Sequence, residues 1–555
     1  MSGRFFLRAL AAFVALLAVT LIVVGRRASL HPRTDGLSFV SVWRDGRLVT
    51  RAEVHEGEAI PEPLVVSLLQ GGGSLVRERV VADARVWTQP DGLFAMSFVS
   101  GRDGAMATLD GKTAYVTPDD LLVRQIYDHG AILQGLDVTL GLDVEAVVWL
   151  LAQRLGVDPD EVWNRAEIRR VRMTRETEGA PAPPKVTAES LTRARADEAA
   201  IEAARYLARS VGEDGRFRFM VDAVTNADVP QFGWPRHAGA TGFLVQSAVA
   251  TGDPALRAAA IRAATLLRTS LVTCGEDRCV GDTDLVDLGS SALALLAFDE
   301  LVKNHLDDGF RPEVLALSRF LRRMQRADGE FMHRYDRPHA APIDVQGQYF
   351  SGEATLALAR AHEITQDPLD LEAARRGLSR QVSGSARFFG DRYWFGEMHW
   401  ECQALEALWD RSPDRVALDY CLRWSAFQRS ISQHAGDGEL DLDGGMGIGP
   451  LPTPRLPMIA GRTEGIRATL QVARKAGVDP AEVEALTWQV RRALALFIRY
   501  QLPGEIGHLL ASPTAMRGAI PGSPVDLKVR IDFVQHAGHA LLGFDPYTPG
   551  PSSGS

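Results

Sequence analysis

Between Pro235 and Pro546 the chain states one theme six times: a few polar or ionisable residues, then an Ala/Leu-rich helical run. The copies are PRHAGATGFLVQSAVATGDP from Pro235, TDLVDLGSSALALLAFDEL from Thr283, QYFSGEATLALARAHEITQDP from Gln348, GEMHWECQALEALWDRSPD from Gly396, AGRTEGIRATLQVARKAGVDP from Ala460 and DFVQHAGHALLGFDP from Asp532. Anchored on His237, Gly289, Gly352, Trp400, Glu464 and Gly538, they recur at intervals of 48 to 74 residues, room for a helical hairpin and a loop. Repetition of this kind predicts an array or a closed ring, because one hairpin alone does not bury its apolar face. A ring would bring the six polar helix starts round one funnel.

The punctuation between copies agrees. TGDP, TQDP and GVDP each join an Asp cap to a Pro that opens the following helix. GEDGRFRF, RADGEFMHRYD and DLDGGMGIG are Asp-Gly turns set among aromatic and apolar residues. Six hairpins with Asp-Gly turns between them resemble the (α/α)6 toroids, the six-hairpin superfold of many glycoside hydrolases, polysaccharide lyases and sugar epimerases. The resemblance covers residues 191–546 and rests on repeat architecture, so it implies fold more strongly than activity. It also implies a ligand funnel at the inner-helix N-termini.

Ahead of the ring the chain changes character. After Arg4 and Arg8, residues 9–24 are apolar apart from one Thr and end at Arg26 and Arg27; counted back to Phe5 the segment reaches 20 residues, which predicts a transmembrane signal anchor over 5–24 with an exported soluble part. Residues 36–173 alternate short β-branched runs with Gly/Asp turns and then helical stretches, the pattern of a small α+β domain without a chemical motif. TRETEGAPAPPKVTAES, 174–190, reads as a Pro-rich linker, and 547–555 as a disordered tail. The fold expected is mainly α: a toroid preceded by an α+β domain and a membrane helix.

A net charge of −9 with no basic stripe argues against nucleic-acid binding. Cys274 and Cys279 close the short polar loop CGEDRC, a spacing suited to a local disulfide in an oxidising compartment. Cys402 and Cys421 lie in helical sequence and read as buried thiols, with a bridge between them as the alternative. No His/Cys set has metal-ligand spacing, so neither a metal nor a cofactor is expected.

The helix starts supply the candidate chemistry. Glu353, His399, Glu401, Glu464, Asp532 and His536 are candidate catalytic groups, being carboxylates and imidazoles able to exchange protons at a sugar. Arg236, His237, Asp284, Tyr349, Trp400 and Arg530 are candidate substrate contacts, with the arginines orienting acidic groups and Trp400 stacking on a sugar face. Helix N-termini also recruit carboxylates merely as caps, so each acid has a structural alternative. The expected function is a membrane-anchored carbohydrate-active enzyme of hydrolase, lyase or epimerase type acting on an envelope or exported glycan. The alternative is a non-catalytic toroid that binds a glycan or peptide.

Overall fold

The computed structural model describes residues 29–86, 94–95, 97–127, 142–178, 185–345, 347–384, 398–434, 442–447 and 453–545. The apolar segment 5–24, the tail 547–555 and Glu397 lie outside them. Among the described residues no helix is long and apolar enough to cross a membrane. The chain divides into two compact units, passing from the first to the second at Pro183 and Pro184.

The first unit is an antiparallel sheet with short helices. Strands β2 (Ser38–Arg44), β3 (Arg47–Val54), β4 (Ser74–Arg85), β5 (Asp103–Leu109), β6 (Lys112–Val116) and β7 (Glu167–Thr177) lie in the order β3-β2-β4-β7-β5-β6, and β1 (His31–Pro32) pairs with β4. Period-2 alternation divides the apolar residues between the faces. Leu37, Phe39, Val80, Met106, Val171 and Met173 form one cluster, while Val40, Val42, Val54 and Leu75 pack with Leu64 of α1 (Glu62–Gly71) in another. Helices α2 (Pro118–Val123), α3 (Val144–Leu155) and α4 (Pro159–Arg165) contact β5 or β6. The sheet reaches beyond 36–173 at both ends. In particular β7 pairs with β4 as far as Thr177, so the first residues of the expected linker are strand.

The second unit is an (α/α)6 toroid. Its inner helices are α6 (Trp234–Thr251), α8 (Leu288–Lys303), α10 (Phe350–Thr365), α12 (Trp400–Trp409), α14 (Leu456–Ala476) and α16 (Ile531–Leu541), each packed on the next and α16 packed back on α6. Outside them lie α7 (Pro254–Thr269), α9 (Arg311–Arg323), α11 (Pro368–Gly384), α13 (Arg415–Ser430) and α15 (Pro480–Tyr500). The sixth outer helix is α5 (Arg193–Ser210), which packs on α16 and α6 although it precedes the ring in sequence.

Local chemistry explains the corners. Gly252 and Gly477 end α6 and α14 in the left-handed conformation, and Asp253 and Asp479 then cap α7 and α15 ahead of Pro254 and Pro480. The Asp-Gly turns at Gly215, Gly329 and Gly444 recur about 115 residues apart, all at positive φ. A Cβ at these positions would strike the carbonyl of Arg262, Arg376 or Arg492, so each turn seats directly on an outer helix. The ring is thus also three double hairpins. Cys274 and Cys279 are bonded across the hairpin of β8 (Leu271–Cys274) and β9 (Asp277–Val280). Cys402 and Cys421, expected as thiols, are bonded too and staple α12 to α13.

Candidate functional site

Three inner helices converge on one ionised group. Glu464, two turns into α14, accepts from His536 Nδ1 of α16 at 2.9 Å through Oε2, and its Oε1 lies 3.4 Å from His539 Nδ1. His399, the residue before α12, faces His536 edge to face with ring centroids 6.0 Å apart. Glycines make room for it: Cβ atoms at Gly461 and Gly465 of α14 would each lie 3.0 Å from the His399 side chain. Trp400 stands 6.2 Å from the His536 ring and Tyr349 5.6 Å from His399. Tyr349 reaches that place with φ of 75°, a left-handed conformation unfavourable for an aromatic residue and met where surrounding structure enforces it.

The electrostatics separate two carboxyls. Burial opposes ionisation of Glu464, yet the charge of His536 and hydrogen bonds from His536 and His539 hold it at about 2. Burial likewise works against the His536 cation, but Glu464 prevails and the imidazole is raised. Glu353, in the first turn of α10, is pushed up to about 8 by burial and by Asp287, against weaker pulls from His536 and Arg236. Its Oε2 is buried with no hydrogen-bond partner among the described residues. One fully buried acid is therefore neutral at pH 7, beside an ion pair of the other acid with His536. The separation follows from surroundings, since Glu464 has imidazoles at both oxygens.

Below this cluster an axial cavity of about 270 Å³ is lined by all six inner helices. Trp400, Glu464, Gln535 and His539 form its upper wall, and Gln246, Glu300, Arg360, Gln403, Glu406 and Arg467 lie further along. Glu464 thus belongs to both, presenting one oxygen to His536 and the other toward His539 of the cavity wall. His539 was not among the sequence candidates; its place one helical turn after His536 was the available signal.

At the same end of the ring Asp532 is fully engaged. Arg530 binds it through Nε at 2.6 Å and Nη2 at 2.8 Å, and Arg236 Nε donates at 3.1 Å. Asp532 therefore braces two guanidinium groups and is not a free catalytic carboxylate. Three further expectations are corrected. His237 is buried with Nε2 bonded to the Ala263 carbonyl of α7 at 3.0 Å, so it faces the outer layer and not the funnel; burial lowers it to about 4. Glu401 is buried and raised to about 7 by burial, no charged neighbour contributing, which sets it apart from the ionic cluster. Asp284 is exposed just ahead of β10 (Leu285–Asp287), while Asp287 caps α8 through Ser290 N.

His399, Glu464 and His536 also offer donor atoms that all lie within 4.8 Å of one another. Two imidazoles and a carboxylate are ligand types that hold a divalent cation. The expectation that no such set exists fails because the residues come from three helices, where no linear spacing reveals them. Here Glu464 and His536 already satisfy each other by a hydrogen bond.

No known protein-family profile matches the chain, and no curated protein does. Solved structures do. A cellobiose 2-epimerase from Bacillus thermoamylovorans aligns at TM-score 0.48 and 10% identity over 63% of this chain and 99% of its own. A D-mannose isomerase aligns at 0.47 and 14%, over 62% and 96%. An alpha-1,6-mannanase from Salegentibacter aligns at 0.45 and 13%, over 63% and 98%.

Proposed function

We propose that the toroid is a carbohydrate-active enzyme that works by proton transfer, with epimerase or lyase chemistry, and that residues 5–24 anchor it in a membrane. The observation that carries this reading is Glu353: a buried carboxyl with an unpartnered oxygen, close enough to His536 and Arg236 to feel both charges. A buried polar atom without a partner costs stability, so a fold that retains one at a funnel retains it for a ligand.

The neighbouring groups suit the task. Glu464 fixes the His536 ring through Nδ1 and supports its cation, leaving Nε2 to give or take a proton at a substrate carbon or oxygen. His399, edge to face with it, offers a second imidazole from another helix. Hydrolysis by two carboxylates fits less well, because Asp532 is taken up by two arginines and Glu464 is ion-paired with His536, which leaves Glu353 as the acid of the cluster without an ion-pair partner among the described residues. The two disulfides support an oxidising compartment, hence an extracytoplasmic toroid and an envelope or exported glycan as its target.

The test is incubation of the whole protein with a glycan panel in deuterium oxide, followed by NMR. Wild type should introduce deuterium at a single sugar carbon, and both Glu353→Gln and His536→Ala should abolish it. Binding without exchange or bond cleavage on any glycan would make the toroid a binding module instead.

A further inference from the structure

Arg236 stands at the funnel mouth with one of its five N–H donors in use. Its Nε is committed to Asp532 at 3.1 Å, while both Nη atoms have no hydrogen-bond partner among the described residues, and the side chain is 44% exposed. Arg530 takes up Asp532 from the other side with two bonds, so two guanidinium groups share one carboxylate and Arg236 keeps only one bond to it. Of the neighbouring acids, Glu464 is paired with His536 and Asp287 accepts from the α8 N-terminus, so neither is bonded to the open edge of Arg236. A guanidinium fixed through Nε and open at its planar edge is shaped for a carboxylate. The neighbouring Glu353 carboxyl, when protonated, donates to a carboxylate oxygen.

We propose, resting on the carbohydrate reading above, that the substrate is an acidic sugar, a hexuronate residue whose carboxylate is received by the Arg236 edge with the Glu353 carboxyl as second partner. This substrate class also accounts for the proton chemistry. In a hexuronate the hydrogen on C5 is α to the carboxyl group, and it becomes removable once the carboxylate charge is offset. A base takes H5 as a proton, and its electron pair enters an enolate spread over C5, C6 and the carboxyl oxygens. Return of a proton to C5 from the opposite face re-forms the C–H bond with inversion and no net change in composition. With the carboxylate held as proposed, the guanidinium and the neutral carboxyl would offset the charge that the enolate gathers on the carboxyl oxygens.

The experiment is calorimetric titration of the full-length protein with oligomers of glucuronate, galacturonate and mannuronate, with the same oligomers after reduction of carboxyl to alcohol, and with a sulfated neutral oligosaccharide. At least one uronate series should bind, its reduced form at least tenfold more weakly. Arg236→Gln should erase that difference, and Arg236→Lys should restore part of it, which also controls for folding. Equal binding of acidic and reduced oligomers, or an unchanged preference in Arg236→Gln, overturns the inference and leaves the carbohydrate reading standing. Preference for the sulfated sugar overturns it as well, because recognition is then of charge and not of a carboxylate. If neither acidic nor neutral oligomers bind, the carbohydrate reading itself falls.

Discussion

The first and last inner helices carry the same tripeptide, His-Ala-Gly, at His237 and at His536, and put it to opposite uses. α6 and α16 are neighbours where the ring closes, and the glycines sit in that seam: Gly239 is approached by Gln535 of α16, and Gly538 by the Phe243 ring of α6. The seam lies on opposite flanks of the two helices. Since each residue turns the helix by about 100°, a histidine two residues before the glycine swings the same way on both, which is outward on one and inward on the other. His237 therefore ends against the α7 carbonyl and His536 against Glu464. Identical local sequence acquires its role from the side on which the neighbour stands.

That contrast can be broken in four ways. The largest effect should come from His536→Ala, which removes a positioned acid-base group and should cut turnover of the glycan by roughly 10²–10⁴-fold in protein that still folds, with some loss of stability because buried Glu464 loses its ion-pair partner. Comparable turnover in the variant would remove the distinction between the two histidines. Next, His237→Ala should leave turnover within about twofold but destabilise the protein by about 3–4 kcal/mol in urea unfolding, through a cavity and an orphaned Ala263 carbonyl.

A third test is pH. The folded value of His237, about 4, lies below its unfolded value, so between the two the folded state binds fewer protons and folding releases them. Wild-type stability should fall as pH drops from about 6.5 to about 4, by up to about 3 kcal/mol, and His237→Phe should flatten that limb. His536 has the reverse sign: raised in the fold, it contributes stability below its unfolded value and loses it as pH rises through the folded one. Glu353, at about 8 in the fold, loses its contribution as pH rises from about 4.5 to about 8, and Glu353→Gln should remove that slope. The smallest effect belongs to the seam. Gly239→Ala meets the end of a flexible Gln535 and should cost about 1 kcal/mol, whereas Gly538→Ala meets an aromatic ring and should cost more. Equal costs would mean that the seam is looser than the packing implies.

The repeat theme was legible because helix period, Asp-Pro starts and Asp-Gly turns are local signals. The direction of a side chain within the ring was not. Glu353, His399, Glu464 and His536 could be nominated from their helix starts, yet Glu401, two residues after His399, points elsewhere. Nor could pairing be read: Arg530 and Asp532 are two residues apart, but Arg236, almost three hundred residues away, completes their cluster. The Cys402–Cys421 bond was open for the same reason, since helical sequence gives no distance between helices.

The placing of α5 has a consequence for how the molecule is made. This helix emerges from the ribosome among the first elements of the toroid, while α16, on which it packs, emerges last. Until then the circle has a gap, and the gap is where His536 and Asp532 belong. A nascent or truncated chain therefore has no reactive centre to expose, because the segment that seals the ring is the one that delivers its imidazole.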